Sequence, residues 1–225
     1  ETQEKWERET NEQPQPKPDE AGLVATLAFD DSLSVVSSPA AAEGKIVDAE
    51  KPEFVEGRFG KALKLDGKAY ADFGPLVQFD RTNAFSYGAW VKLDGDGAVL
   101  SRMEKGPGLR GFDLFFADER FQVHLANTWP DNALKVRTKD KFPKNQWLHV
   151  LATHDGSGKA AGVKLYVNGR VRDVEIDKDK LTDTIANEAP VRIGARNGES
   201  ILKGQVDEVR FYQRALSGED ARLIF

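Results

Sequence analysis

The aromatic residue best suited to bind a sugar is Trp129, which precedes Pro130 in a predicted turn rather than in a strand. Sugars stack their apolar C–H faces on exposed aromatic rings, and neighbouring polar groups hold the hydroxyls. Asp131 and Arg137 stand close to Trp129 in the sequence and could supply those groups. The pattern predicts a ligand-binding surface at these three residues. The alternative is that Trp129 packs beneath its own loop, because tryptophan is commonly largely buried.

His124 is the histidine that the strand pattern directs toward such a surface. It alternates with Phe121 and Val123, so it faces away from the apolar side of its strand. We consider it a candidate ligand-binding residue, with simple solvation of the polar face as the alternative. Arg102 is a further basic residue that could line the same surface, but nothing in the sequence indicates how its side chain would be held there. The three histidines show neither metal-ligand spacing nor a Ser-His-Asp arrangement, so no catalytic residue is predicted from them.

Glu175, Asp177 and Asp179 are the acids that most resemble a hydrolase motif, because alternate positions share one face of a strand. Glycoside hydrolysis needs two carboxylates that face the same groove. The third acid is Asp rather than Glu, and Lys180 follows at the predicted strand end. A solvated charged edge is the preferred interpretation, and the chain is not expected to be an enzyme.

The composition excludes several classes of protein. Its 32 Lys and Arg against 37 Asp and Glu give a net charge of −5, so the basic surface that nucleic acid or an anionic membrane requires is not expected. The sequence has no Cys, which excludes disulfides, thiolate metal sites and cysteine nucleophiles. No apolar run reaches the ~18 residues of a membrane helix, so membrane insertion is not predicted.

The first 19 residues differ in kind from the rest. Pro14, Pro16 and Pro18 alternate within a polar stretch, a pattern typical of an extended linker. We predict that residues 1–19 are a linker or the tail of a preceding domain and that residues 20–225 form one folded domain. The sequence begins at Glu1 rather than Met, so we expect a longer parent protein.

The folded part has the pattern of an all-β protein. Residues 85–93 alternate between apolar and outward-facing positions, and Asn168 and Gly169 form a strong hairpin-turn signal before a predicted strand at residues 171–176. The sequence contains about a dozen short predicted strands, which are separated by turn signals every ~8–12 residues. Ser217 is the expected N-cap of a short C-terminal helix. The sequence predicts a two-sheet antiparallel jelly-roll sandwich.

Six separated stretches occur in the order and spacing of a known superfamily. They are GKALKLDG at 60–67, FSYGAWV at 85–91, NQWLHV at 145–150, VKLYVNG at 163–169, VRIG at 191–194 and GQVDEVRFYQRALS at 204–217. Over residues ~22–225 the chain resembles the laminin-G-like and concanavalin-A-like jelly-roll superfamily.

A narrower resemblance rests on GFDL at 111–114, WPDNALKVRT at 129–138 and GSGKAAGVK at 156–164. These stretches resemble the version embedded in planctomycete-type multidomain proteins that also carry a cytochrome-c-like domain. The resemblance implies an exported parent in the periplasm, the cell envelope or outside the cell. It implies no haem here, because the chain has no Cys-x-x-Cys-His motif.

The superfamily resemblance also implies a structural Ca²⁺ that ties the first strand to the last. Asp30 and Asp207 stand at the positions of such ligands. Ordinary polar strand ends are the alternative. The expected function is a non-catalytic module that binds carbohydrate or a protein partner, such as a neighbouring domain of the parent chain. A structural spacer is the alternative, and a glycoside hydrolase or lyase is less favoured.

Overall fold

The computed structural model describes residues 20–36 and 43–225, so the predicted linker at residues 1–19 lies outside the described residues. Sixteen strands and one α-helix occur within the described part. They are β1 (Leu23–Leu27), β2 (Lys45–Val47), β3 (Glu53–Glu56), β4 (Lys61–Asp66), β5 (Tyr70–Asp72), β6 (Ala84–Leu93), β7 (Gly97–Met103), β8 (Gly111–Ala117), β9 (Arg120–Thr128), β10 (Asn132–Thr138), β11 (Trp147–Asp155), β12 (Val163–Val167), β13 (Arg170–Arg172), β14 (Val174–Asp179), β15 (Arg192–Ile193), β16 (Lys203–Tyr212) and α1 (Gly218–Leu223). No helix among these residues is long and apolar enough to span a membrane.

The strands form two antiparallel sheets of eight strands each, counted over the described residues. Sheet 1 has the order β13-β12-β11-β6-β16-β4-β3, and β1 also pairs with β16. Sheet 2 has the order β14-β10-β9-β8-β7-β15-β5-β2. One apolar core between the sheets takes side chains from both. This architecture confirms the predicted two-sheet antiparallel jelly-roll sandwich.

Strand β6 shows how the sequence pattern forms the sandwich. Phe85, Tyr87 and Ala89 belong to the core between the sheets, and Trp90 faces the outside of sheet 1 opposite Asp207. The alternation is the one that the sequence predicts. Burying each large apolar side chain stabilises the fold by about 1.5–3 kcal/mol. The hydroxyl of Tyr87 crosses the core and donates a 2.9 Å hydrogen bond to the Asp113 carbonyl.

The hairpin between β12 and β13 turns at Asn168 and Gly169, as predicted. Both residues have positive φ, at 52° and 69°. This geometry is typical of a type I′ turn, for which Asn and Gly have the lowest conformational cost. The turn fixes the register of β12 and β13 at one edge of sheet 1.

The predicted strand at residues 171–176 is wrong as a single element. The chain leaves sheet 1 after Arg172 and enters sheet 2 at Val174. Between them, the carbonyl of Asp173 accepts a 2.8 Å hydrogen bond from the amide of Lys139, which follows β10. The change of sheet therefore depends on a loop that is distant in the sequence, and the local alternation of apolar and polar residues does not predict it.

The predicted C-terminal helix is confirmed. Asp220 donates its backbone N–H to Oγ of Ser217 at 3.1 Å, and Ser217 returns a 2.7 Å hydrogen bond from its own N–H to the Asp220 carboxylate. This reciprocal pair is a capping box. Helix α1 places Ala221 in a small apolar cluster with Leu151 and Tyr166 on the outside of sheet 1.

Candidate functional site

A row of polar side chains crosses the outer face of sheet 2. Asp113 on β8 lies opposite His124 on β9, which lies opposite Lys135 on β10. Successive side chains of a strand point to opposite faces, so these three face outward while Leu114 and Val123 enter the core. Strand pairing thus assembles a polar cluster from three different strands.

Asp113 anchors this cluster. Its side chain is fully buried, and Oδ1 accepts hydrogen bonds from His124 Nδ1 at 2.8 Å and from the His124 amide at 3.1 Å. Oδ2 accepts from Nε of Arg196 at 2.6 Å, and Nη2 of Arg196 contacts the same oxygen. Burial opposes ionisation, but the charges of Arg196 and His124 outweigh it and hold the pKa of Asp113 below its usual value. The ionised carboxylate therefore fixes both side chains.

The contact with Asp113 determines which ring nitrogen of His124 remains for a ligand. A carboxylate only accepts hydrogen bonds, so Nδ1 carries the hydrogen in the 2.8 Å contact. Nε2, the other ring nitrogen, is then available to a ligand, because no described residue forms a hydrogen bond with it. It can form a hydrogen bond with a hydroxyl group of a ligand.

A cavity of about 260 Å³ opens above this cluster. The rings of His124 and Trp129 meet edge to face with centroids 5.4 Å apart, and His124 meets Phe115 in the same way at 6.2 Å. The Arg196 guanidinium lies over the Phe115 ring, 4.2 Å from its centroid. Aromatic and apolar surfaces therefore surround a few fixed polar groups. The lining residues are Met103, Leu109, Phe115, Gln122, His124, Ala126, Trp129, Lys135 and Arg196.

Trp129 forms one wall of the cavity from the turn between β9 and β10. Its amide donates a 2.8 Å hydrogen bond to the Gly108 carbonyl, which ties this turn to the loop after β7. The residue is only partly buried and lines the cavity, so part of it is open to a ligand. The structure thus brings together Trp129 and His124, the two aromatic candidates identified from the sequence.

The other two sequence candidates do not line this cavity. Asp131 is exposed in the turn after Trp129. Arg137 lies on β10 beside Gln122, and its Nε donates a 2.8 Å hydrogen bond to Glu175. Neither residue contributes to the cavity wall. Their role in binding stays a prediction.

Arg102 does not lie on the surface for which it was a candidate. It is buried, and its guanidinium donates to the carbonyl of Val77 and, at 2.6 Å, to that of Asn187. Its strand position pairs with Phe112, whose side chain belongs to the core. Arg102 is therefore an internal structural cation.

The three acids of β14 are held by neighbouring groups. Glu175 pairs with Arg137, and Asp177 pairs with Lys135 at 3.1 Å. Asp179 instead accepts the amide of Ala160 at 2.9 Å. A register shift in the β10–β14 pairing breaks the alternation between these positions. None of the three acids lines the cavity above His124.

Asp30 and Asp207 hold the same turn, between β3 and β4. Oδ1 of Asp30 accepts the Lys61 amide at 2.8 Å, and Oδ2 of Asp207 accepts the amides of Arg58 and Phe59 at 2.9 and 3.0 Å. Oδ1 of Asp207 is buried and has no hydrogen-bond partner among the described residues, and burial raises the pKa of this carboxyl to about 6. The unpartnered oxygen fits a cation. No group of three or more His, Cys, Asp or Glu suited to a metal occurs in the described residues, so other ligands would be carbonyls or water.

The outer face of sheet 1 carries a second aromatic cluster around the buried Trp90. Its ring stacks on Phe225 at 5.3 Å and meets Phe59 edge to face at 5.9 Å. Phe59 and Phe225 are about half exposed, at 50% and 47%. His149 lies against the same ring, and burial together with the charge of Arg210 lowers its pKa to about 3. This histidine is neutral at physiological pH.

The fold and the sequence together define the class of protein. Residues 65–222 match the model of the laminin G-type family described as the concanavalin A-like lectin/glucanases superfamily. The chain belongs to this superfamily. A search of curated protein sequences gave no match.

Solved structures of similar fold include binding domains. Domain 4 of AbnA, an extracellular GH43 arabinanase from Geobacillus stearothermophilus solved with arabinotriose, is 24% identical with a TM-score of 0.70, over 90% of this chain and 97% of that one. The binding domain of Paraclostridial Mosquitocidal Protein 1 is 17% identical with a TM-score of 0.63, over 90% and 51%. The receptor-binding domain of botulinum neurotoxin D is 13% identical with a TM-score of 0.65, over 90% and 52%. The chain thus spans about half the length of these two toxin domains.

Proposed function

We propose that this chain is a non-catalytic carbohydrate-binding module and that the cavity between Trp129 and His124 is its binding site. The observation that carries the proposal is the half-buried Trp129 ring beside a histidine that a buried carboxylate holds in place. An aromatic wall binds the apolar face of a sugar, and fixed polar groups select its hydroxyls.

The comparisons support the proposal at the level of the fold. The GH43 arabinanase domain was solved with arabinotriose, and a study of neurotoxin type C concerns its interaction with two ganglioside molecules. Both proteins are less than 25% identical to this chain. The arabinanase domain, 97% of which is covered by this chain, supports a saccharide site on this kind of sandwich, and the site residues named here come from this chain alone.

The wider setting is part of the same proposal. We propose a multidomain parent outside the cytoplasm, in the periplasm, the cell envelope or the medium, of the kind that the planctomycete-type resemblance implies. A module that binds saccharide would hold the parent close to its target. The extracellular setting of the arabinanase domain supports this location.

The test is a glycan array followed by calorimetry with the best ligand. Trp129→Ala removes the aromatic wall and is expected to weaken binding at least about tenfold, or about 1.4 kcal/mol. Trp147→Ala is the matched control, because Trp147 is also partly buried but lies on β11 in sheet 1. Absence of glycan binding, or equal losses in the two variants, would overturn the proposal.

A protein-contact or spacer function is the second candidate. Phe59 and Phe225 form a half-exposed apolar surface around Trp90, on the sheet opposite the cavity. Exposed apolar surface of this kind can pack against a neighbouring domain. Phe59→Ser should then reduce the binding of a hydrophobic dye to the isolated chain. Unchanged dye binding would remove this alternative.

A further inference from the structure

Among the residues that the structure describes, the ionisable side chains that line the Trp129 cavity are His124, Lys135 and Arg196, and none of these lining residues is acidic. The carboxylates that pair with them lie outside the lining. Asp113 is fully buried behind His124, and Asp177 belongs to the neighbouring strand β14. A cleft lined by one sign of charge concentrates ligands of the opposite sign. The cavity therefore presents cationic and hydrogen-bond-donating groups to a ligand.

Arg196 has guanidinium N–H donors that are available to a ligand. Its Nε and Nη2 face Asp113, while no described residue accepts a hydrogen bond from Nη1. The guanidinium lies over the Phe115 ring, 4.2 Å from its centroid, which holds it in place. A fixed planar guanidinium is suited to bind a carboxylate.

We propose that the cavity binds a single sugar residue that carries a carboxylate, a hexuronate. Its ring lies against Trp129, and its carboxylate faces Arg196 and Lys135. The inference rests on the proposed function and names its ligand class. The volume of about 260 Å³ is below the roughly 300–1,000 Å³ of sites for drug-sized molecules, so it fits one residue rather than a chain.

The test compares sugars that differ only at C6. Calorimetry measures binding of the methyl glycosides of glucuronate and galacturonate against those of glucose and galactose. At least one uronate should bind about tenfold more tightly than its neutral counterpart, since hydrogen bonds between ionised groups are about twice as strong as neutral ones. Added salt should reduce this preference, because it screens the partly exposed Lys135.

Two matched variants test whether Lys135 contributes to the preference for a uronate. Lys135→Gln should lower the preference for the uronate about threefold or more while leaving the neutral sugar nearly unaffected. Lys92→Gln is the control, because Lys92 is also partly buried but lies on β6 in sheet 1. Equal behaviour of the two variants would contradict the assignment of Lys135.

The possible results separate this inference from the proposed function. Equal affinity for uronates and neutral sugars, still lost in Trp129→Ala, would overturn the carboxylate inference and leave a neutral saccharide site. Tighter binding of a sugar sulfate than of either uronate would overturn it as well. Absence of binding to every saccharide in the array would overturn the proposed function itself.

Discussion

The carboxylate of Asp113 lies 2.8 Å from Nδ1 of His124, and this buried contact orders the cavity wall. The same carboxylate holds Arg196, so one charged group fixes two side chains that face a ligand. Asp113 touches no ligand itself, because it is fully buried. It is a positioning residue for the proposed site.

Asp113→Asn should destabilise the chain and weaken binding together. The variant removes the charge that pairs with Arg196 and His124, and breaking a buried ion pair by removing one partner typically costs about 3–5 kcal/mol. Urea denaturation measures the free energy of unfolding. Asp177→Asn is the control, since Asp177 is 24% exposed and pairs with Lys135, and it should cost less than about 1 kcal/mol. Equal costs would contradict the anchoring role of Asp113.

The sequence could identify only part of this site. Trp129 and His124 are recognisable because a turn and a strand alternation are local patterns. Asp113 stands out only as an acid in an apolar strand, and its pairing with His124 depends on the β8–β9 register. Arg196 is 83 residues from Asp113 in the chain. Such a partner comes from tertiary structure, which no local pattern contains.

The fold was predictable where a local rule determines it. Asn168 and Gly169 set their hairpin by their own backbone preferences. The change of sheet at Asp173 was missed because it depends on a hydrogen bond from Lys139.

His149 should make the chain less stable in mild acid. Its pKa is about 3 in the folded state and about 6.5 when unfolded, so the unfolded chain binds more protons between these values and stability falls as the pH drops below 6.5. At pH 5 the loss should be about 2 kcal/mol, since each pH unit contributes about 1.4 kcal/mol. His149→Gln should lose that part of the pH dependence in urea titrations. Parallel curves for the two proteins would contradict the assignment.

Asp207, in contrast to His149, should make the folded chain more stable as the pH falls. Burial raises its folded pKa to about 6, above the usual value of 3.8 for an aspartate, so the folded chain binds more protons between these two values. Stability from this group falls as the pH rises from about 4 to 6. When the pH is lowered from 7 to 5, Asp207 should stabilise the folded chain by about 1 kcal/mol, and Asp207→Asn should lack this gain. Both proteins are measured in EDTA, so that no cation binds to the carboxylate. A stability difference between the two proteins that stays constant with pH would contradict the assignment to Asp207.

Calcium binding at Asp30 and Asp207 stays a prediction that a melting experiment can test. The unpartnered oxygen of Asp207 near the turn between β3 and β4 gives the structural reason. A ligand that binds only the folded state at 100 times its Kd stabilises it by about 2.7 kcal/mol, so Ca²⁺ should raise the melting midpoint and EDTA should lower it. Asp207→Asn should abolish the response. Asp31→Asn is the control, because Asp31 is exposed and pairs with Lys61. An identical midpoint in excess Ca²⁺ and in EDTA would refute a structural calcium ion.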